Sequence, residues 1–217
     1  MAPSFNLSAT LNVSRLLYNP GLCLPHITFK SFDQLILPFQ IPAHPNVRIK
    51  GIVLDKDNCF AKDHDDKVWP AYESTWSKLK SIYPGEHVLI VSNSAGTDDD
   101  TNHTQAKTLE ENTGVSVLRH SVKKPGCSDE IKQYFARQNI NPNEIIVVGD
   151  RLFTDMVMAN MMGSWGCWIS EGVQLSNKMF PKLERDLYSR LVSSRTDNPW
   201  SPPTPKNADE PFAKDIT

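Results

Sequence analysis

From residue 48 onward, short uninterrupted apolar runs alternate with longer stretches whose apolar residues recur at helical spacing. The runs Ile49 to Leu54, His87 to Val91, Val115 to Leu118, Glu144 to Val148 and Trp165 to Ile169 read as strands covered on both faces, the pattern of a parallel sheet. Between them the spacing predicts a helix from Pro70 through Trp76 and Leu79 to Ile82, with the proline in the first turn. A second helix runs through Ala106, Leu109 and Glu110 and stops at Gly114. A third covers about 128–137, a fourth includes Met156, Val157, Ala159 and Asn160, and a charged helix closes near Val192. Strand and helix in strict alternation require crossover connections, which are right-handed, so the expected fold is α/β: a doubly wound, Rossmann-type parallel sheet.

The ends of the chain follow other rules. Residues 1–46 hold one acid, Asp33, and two basic residues, Arg15 and Lys30, among many Leu, Ile and Phe. Prolines at 20, 25, 38, 42 and 45 cut the stretch into pieces too short for a periodic element. It lacks the order of a secretory signal and contains no apolar run of about 18 residues that could span a bilayer. Three readings stand: a segment lying in a membrane interface, an extra layer of core, or a presequence. From residue 195 on, prolines at 199, 202, 203, 205 and 211 with few apolar residues give a tail expected to be mobile or draped on the surface. The expected organisation is therefore 1–47, 48–194 and 195–217.

Composition narrows the function. A net charge of −2 over 217 residues gives no electrostatic reason to expect nucleic acid as a partner, since such proteins usually carry a basic excess. Cys23, Cys59, Cys127 and Cys167 form no C-x-x-C pair, which argues against a zinc site or a disulfide framework. The residues six positions after them are Phe29, Asp65, Gln133 and Val173, so the Cys-x5-Arg arrangement of a thiol phosphatase is absent.

Ligands of a doubly wound sheet bind beyond the carboxyl ends of its strands. Four polar clusters fall there: Asp55-Lys56-Asp57, Ser92-Asn93-Ser94, Lys123-Lys124, and Gly149-Asp150 with Asp155. An isolated D-x-D is more often a solvated turn; four clusters at successive strand ends point to chemistry. The Asp55 carboxylate can attack phosphorus and form an aspartyl-phosphate. Two anions must then meet, which calls for Mg2+, with Asp55, Asp150 and the Asp57 backbone carbonyl as ligands. Asp57 is placed to protonate the leaving oxygen and then to deprotonate water. Ser92, Asn93 and amides at the head of the following helix can bind phosphoryl oxygens. Lys124 or Lys123 can bridge Asp55 and the phosphate, and Asp155 can position that lysine or a water.

In order and spacing, Asp55-Lys56-Asp57, Ser92, Lys124-Pro125 and Gly149-Asp150-Arg151-x-x-x-Asp155 resemble the four motifs of haloacid dehalogenase-type phosphatases, over roughly residues 48–170. The resemblance implies Asp55 as nucleophile, Asp57 as acid–base, Ser92 as phosphate binder, Lys124 as cationic bridge, and Asp150 with Asp155 as the acidic fourth motif. The runs at 55–60, 92–96 and 149–155 are similar to those of fungal and plant mitochondrial phosphatidylglycerophosphate phosphatases. That closer resemblance implies an anionic phospholipid substrate, release of phosphatidylglycerol for cardiolipin synthesis, and a peripheral position on the matrix face of the inner membrane.

Substrate size can be judged without the resemblance. Residues 58–91 number 34 and residues 93–123 number 31, each already occupied by a loop, a helix and a strand. No inserted cap domain fits, so the site is expected to be open to a phosphate on a bulky body. The run Asp63 to Lys67 can form a small flap or a solvated loop. Lys56, Lys62, Lys67, Arg119 and Arg151 are candidates to face anionic headgroups. The competing readings are a soluble phosphatase acting on phosphoprotein or small phosphomonoesters, and a receiver-like domain that stores phosphate on aspartate.

Overall fold

A computed structural model describes residues 15–16, 18–175, 179–193 and 200–208. Its centre is a six-stranded parallel sheet in the order β1-β6-β5-β2-β3-β4, built from β1 (Ile27–Phe29), β2 (Gly51–Leu54), β3 (Val88–Ile90), β4 (Ser116–Val117), β5 (Ile145–Gly149) and β6 (Trp165–Ile169). The helices are α1 (Glu73–Ile82), α2 (Thr104–Thr113), α3 (Ser128–Ala136), α4 (Val157–Met162) and α5 (Met179–Ser193). Every residue of β2, β3, β5 and β6 is buried, as their continuous apolar runs require of strands covered on both faces. Gly114 ends α2 with a left-handed φ of 68°, and its N–H donates to the Glu110 carbonyl at 2.8 Å.

The chain winds outward from β2 through β3 to β4, returns to place β5 on the other side of β2, and continues to β6 and β1. The order reverses between β2 and β5, which marks the crevice where a ligand is expected. Between β2 and β3 the chain spends its residues on one loop and on α1 with a short 3-10 turn at either side of it, so no cap domain is inserted there.

Two features were not foreseen in the sequence. The proline-broken N-terminal stretch supplies a strand: β1 pairs in parallel with β6, Ile27 opposite Cys167. Beyond it Phe32, Leu35, Leu37, Phe39 and Ile41 enter the main core, as the extra-layer reading of this stretch expects, Phe32 against Phe60, Tyr72 and Trp76. Residues 1–14 and 17, where the rest of that stretch falls, lie outside the described residues. The second feature is a π-turn at Leu152–Met156, ahead of α4. The Asp155 and Met156 amides both reach the Arg151 carbonyl, at 3.0 and 3.3 Å. Such wide turns concentrate at functional sites.

Of the C-terminal tail, residues 200–208 run along the surface near the amino end of the sheet. Nε2 of His26 lies 3.1 Å from the Pro203 carbonyl, and Asn143 donates to the Asn207 carbonyl at 3.3 Å. All four cysteines are buried and unpaired.

Candidate active site

β2 and β5 deliver Asp55 and Asp150 side by side at the switch point, because Leu54 is in register with Val148. The π-turn sends Asp155 back toward the same place. One carboxylate oxygen from each of Asp55, Asp150 and Asp155 lies within 4.8 Å of the others. Gly149 is required here: a Cβ at that position would stand 2.4 Å from the Asp155 carboxyl carbon.

Lys124 enters from the loop after β4. Its buried ammonium donates to Asp55 Oδ1 at 2.5 Å and to Asp155 Oδ1 at 2.7 Å, while Arg151 N–H donates to Asp155 Oδ2 at 3.1 Å. Asp155 is thereby committed to holding the lysine. Lys123, the other lysine considered, points elsewhere and pairs with Asp99 at 2.6 Å. The Lys124 backbone N–H donates to Asn93 Oδ1 at 2.7 Å, which locks the lysine loop to the loop after β3.

The electrostatics are those of an acid cluster. Burial pushes the Asp55 carboxyl up to about 7; Lys124 opposes this, and Asp155 and Asp57 add to it. Burial, then Asp55 and Asp155, push Asp150 well above the carboxylate range, against Asn58 and Arg151. Burial also works against the Lys124 charge, but Asp155 and Asp55 outweigh it and keep the ammonium well above its ordinary value. The mutual repulsion that raises these carboxyls is what a bound cation would relieve. The carboxylate oxygens fit a hard divalent cation such as Mg2+, which Asp55 and Asp150 could hold.

Asp57 lies across the mouth, half-buried, and its Oδ1 accepts from Lys56 Nζ and from the His64 N–H, both at 2.8 Å. Asp55, Asp57, Asn58, His64, Asn93, Lys124, Asp150 and Arg151 line one cleft of about 210 Å³. A larger depression of about 890 Å³ lies by Lys50, Asn141 and Pro205 and contains none of the clustered acids, so size does not mark the site.

Several expectations change. Ser92 is fully buried, and its hydroxyl pairs with Ser94 Oγ at 3.0 Å; Asn93 is the member of that cluster that lines the cleft. The amides after Ser92 do not head a helix, because α2 begins only at Thr104. Asp100 instead collects the Gly96, Gln105 and Ala106 amides at 2.9 Å each and ties the loop to α2. Lys56, expected to face headgroups, is buried; Arg119 pairs with Glu110, and Arg151 forms a two-pronged pair with buried Glu184 of α5. Lys62 and Lys67 alone of that group are exposed.

Asn58 was missed in the sequence. It adopts a left-handed φ of 57°, donates to Asp150 Oδ2 at 3.0 Å and accepts at Oδ1 from the Gln174 N–H at 3.0 Å. Its place directly after D-x-D was the available signal, since asparagine tolerates this backbone region.

A parallel sheet with acids from β2, β5 and the following turn, and a lysine from the loop after β4, is the arrangement of a phosphatase of the haloacid dehalogenase type. Across residues 7–174 the chain matches the family model described as mitochondrial PGP phosphatase, and it belongs to that family. It is 53% identical over 188 residues to "Phosphatidylglycerophosphatase GEP4, mitochondrial" of Saccharomyces cerevisiae, covering 86% of this chain and 98% of that protein. A probable mitochondrial phosphatidylglycerophosphatase of Schizosaccharomyces pombe is 34% identical, over 87% of this chain and 92% of its own length. The chloroplastic/mitochondrial phosphatidylglycerophosphate phosphatase 1 of Arabidopsis thaliana is 34% identical over 70% of this chain and 42% of its own. Membership sets aside the receiver-like alternative.

Proposed function

We propose that this chain hydrolyses the terminal phosphomonoester of phosphatidylglycerophosphate, releasing phosphatidylglycerol for cardiolipin synthesis, through an aspartyl-phosphate on Asp55. The observation that carries the mechanism is Lys124 suspended between Asp55 and Asp155, with Asp150 completing the acid cluster. The lipid is supported by the names of the relatives and by the absence of an inserted cap over the cleft.

With Oδ1 held by Lys124, Asp55 attacks phosphorus through its other oxygen as the phosphorus–oxygen bond to glycerol breaks. Asp57 gives its proton to the departing oxygen. It then takes a proton from water, whose oxygen attacks phosphorus and breaks the bond to Asp55, freeing phosphate. Lys124 and the Asn93 amide group offset charge on the phosphoryl oxygens, and Ser92 shapes the loop beneath them. Mg2+, when bound by Asp55, Asp150 and the Asp57 carbonyl, supplies charge neutralisation for the approach of two anions.

Phosphate release from anionic vesicles containing phosphatidylglycerophosphate, with and without Mg2+, tests the reading. Wild type should act in a Mg2+-dependent manner and Asp55→Asn should be inactive; a mutant of full activity overturns the mechanism. Rates on soluble phosphomonoesters equal to or above the lipid rate overturn the substrate. The relatives' names support a mitochondrial protein, and we place it peripherally on the matrix face of the inner membrane. No helix among the described residues is long and apolar enough to cross a membrane. Digestion of the protein by protease in mitochondria whose inner membrane is intact would contradict the matrix assignment.

A further inference from the structure

A lysine between two catalytic aspartates on a surface loop reads as a cation for the substrate, yet Lys56 is only 2% exposed. Its ammonium is taken up by partners of its own loop. Its ammonium donates to Asp57 Oδ1 at 2.8 Å and to the Asp65 carbonyl at 2.9 Å, and stands 3.7 Å from the Asp66 carboxylate. The backbone assists: the Ala61 N–H donates to the Lys56 carbonyl at 3.1 Å, and the Asp65 N–H to the Lys62 carbonyl at 2.9 Å. The far end of the same loop is tied to α2 by Asn112, which donates to the Asp66 carbonyl at 3.0 Å.

We infer that Lys56 is a positioning residue: it fixes the Asp57 carboxylate and pins the 62–67 loop as a flap along the cleft. Two consequences follow from the geometry. Asp57 Oδ1 is occupied by two donors, Lys56 Nζ and the His64 N–H. Among the described residues none donates to Oδ2, which is therefore the oxygen that carries the proton to the leaving group. The same ammonium also holds the turn that places Asp63 and His64 in the cleft wall. A single buried charge thus couples the acid to the flap, and losing it releases both.

This inference rests on Asp57 being the acid–base, so its test separates the two. Lys56→Met, Asp57→Asn and wild type would be assayed on phosphatidylglycerophosphate vesicles, whose alkoxide leaving group needs a proton, and on p-nitrophenyl phosphate, whose phenolate hardly does. Hydrogen exchange of the peptide spanning 60–68 would be followed alongside. For Lys56→Met we expect kcat/KM, which reports phosphoryl transfer to Asp55 and not the shared hydrolysis step, to fall about a hundredfold on the lipid, the scale of positioned general acid catalysis, and far less on the aryl ester. Exchange in 60–68 should accelerate while the sheet peptides keep their protection. Should Lys56→Met fail to fold, Lys56→Gln, which keeps an N–H for Asp57 but no charge, takes its place, with the same preference between substrates and a smaller loss. Equal losses of kcat/KM on both substrates, or unchanged exchange in 60–68, overturn the inference. If Asp57→Asn itself shows no preference between leaving groups, the acid–base assignment fails, and the exchange result alone decides whether Lys56 is the clamp.

Discussion

His26 should make the fold sensitive to mild acid. Its Nδ1 accepts the Gly166 N–H at 2.9 Å, which leaves Nε2 as the protonated nitrogen facing the Pro203 carbonyl at 3.1 Å. A second proton on Nδ1 would set two donors against each other. Burial pushes the imidazole down from its ordinary 6.5 to about 4; the Pro203 bond opposes this, and His44 adds to it. The unfolded chain therefore takes up a proton near pH 6.5, and the folded chain does not until about pH 4. Stability from this site is complete above pH 6.5 and is lost as pH falls through that window. Each pH unit of separation is worth about 1.4 kcal/mol, so the gap sets an upper bound of about 3 kcal/mol, less because the ring is partly exposed. The assay is urea unfolding at intervals from pH 7 to pH 4, comparing wild type with His26→Gln. The variant's stability should decline less steeply in this window, by about 1–2 kcal/mol overall. Parallel pH profiles for the two proteins would refute the tautomer and the burial argument together.

Lys124→Met leaves Asp55 and Asp155 buried without their cation; we expect a loss of about 3–5 kcal/mol in thermal or urea unfolding together with loss of turnover. Gly149→Ala would push Asp155 off Lys124, and should reduce phosphatase kcat about tenfold or more while circular dichroism stays native. Asn58→Ala frees the Asp150 carboxylate, so the Mg2+ concentration for half-maximal activity should rise about tenfold. Chelation by EDTA should abolish phosphate release and added Mg2+ restore it; activity that survives exhaustive chelation would remove the metal from the scheme.

The sequence carried most of the sheet because strands covered on both faces must be apolar throughout, and β2, β3, β5 and β6 announce themselves in that way. The four clusters were legible for a related reason: in a doubly wound sheet, successive strand ends share one edge. β1 was hidden because three residues with one exposed position, just after Pro25, carry no period, and only β6 makes them a strand. The π-turn at Asp155 leaves no compositional mark, since it depends on how the chain leaves Gly149. Lys56 misled for a physical reason: lysine is seldom buried, and its partners Asp57, Asp65 and Asp66 converge only once the loop has folded.

The burial of all four thiols has a practical consequence. Burial raises Cys23 to about 11 and Cys127 to about 12, and the neighbouring Asp55, Asp150 and Asp155 reinforce burial at Cys59. Thiolate is the form that reacts with alkylating agents, so the folded chain should be silent toward them. A cysteine introduced on the exposed flap, at Lys62 for example, would then label alone, and the native thiols can stay in place to report unfolding as a separate, slower signal.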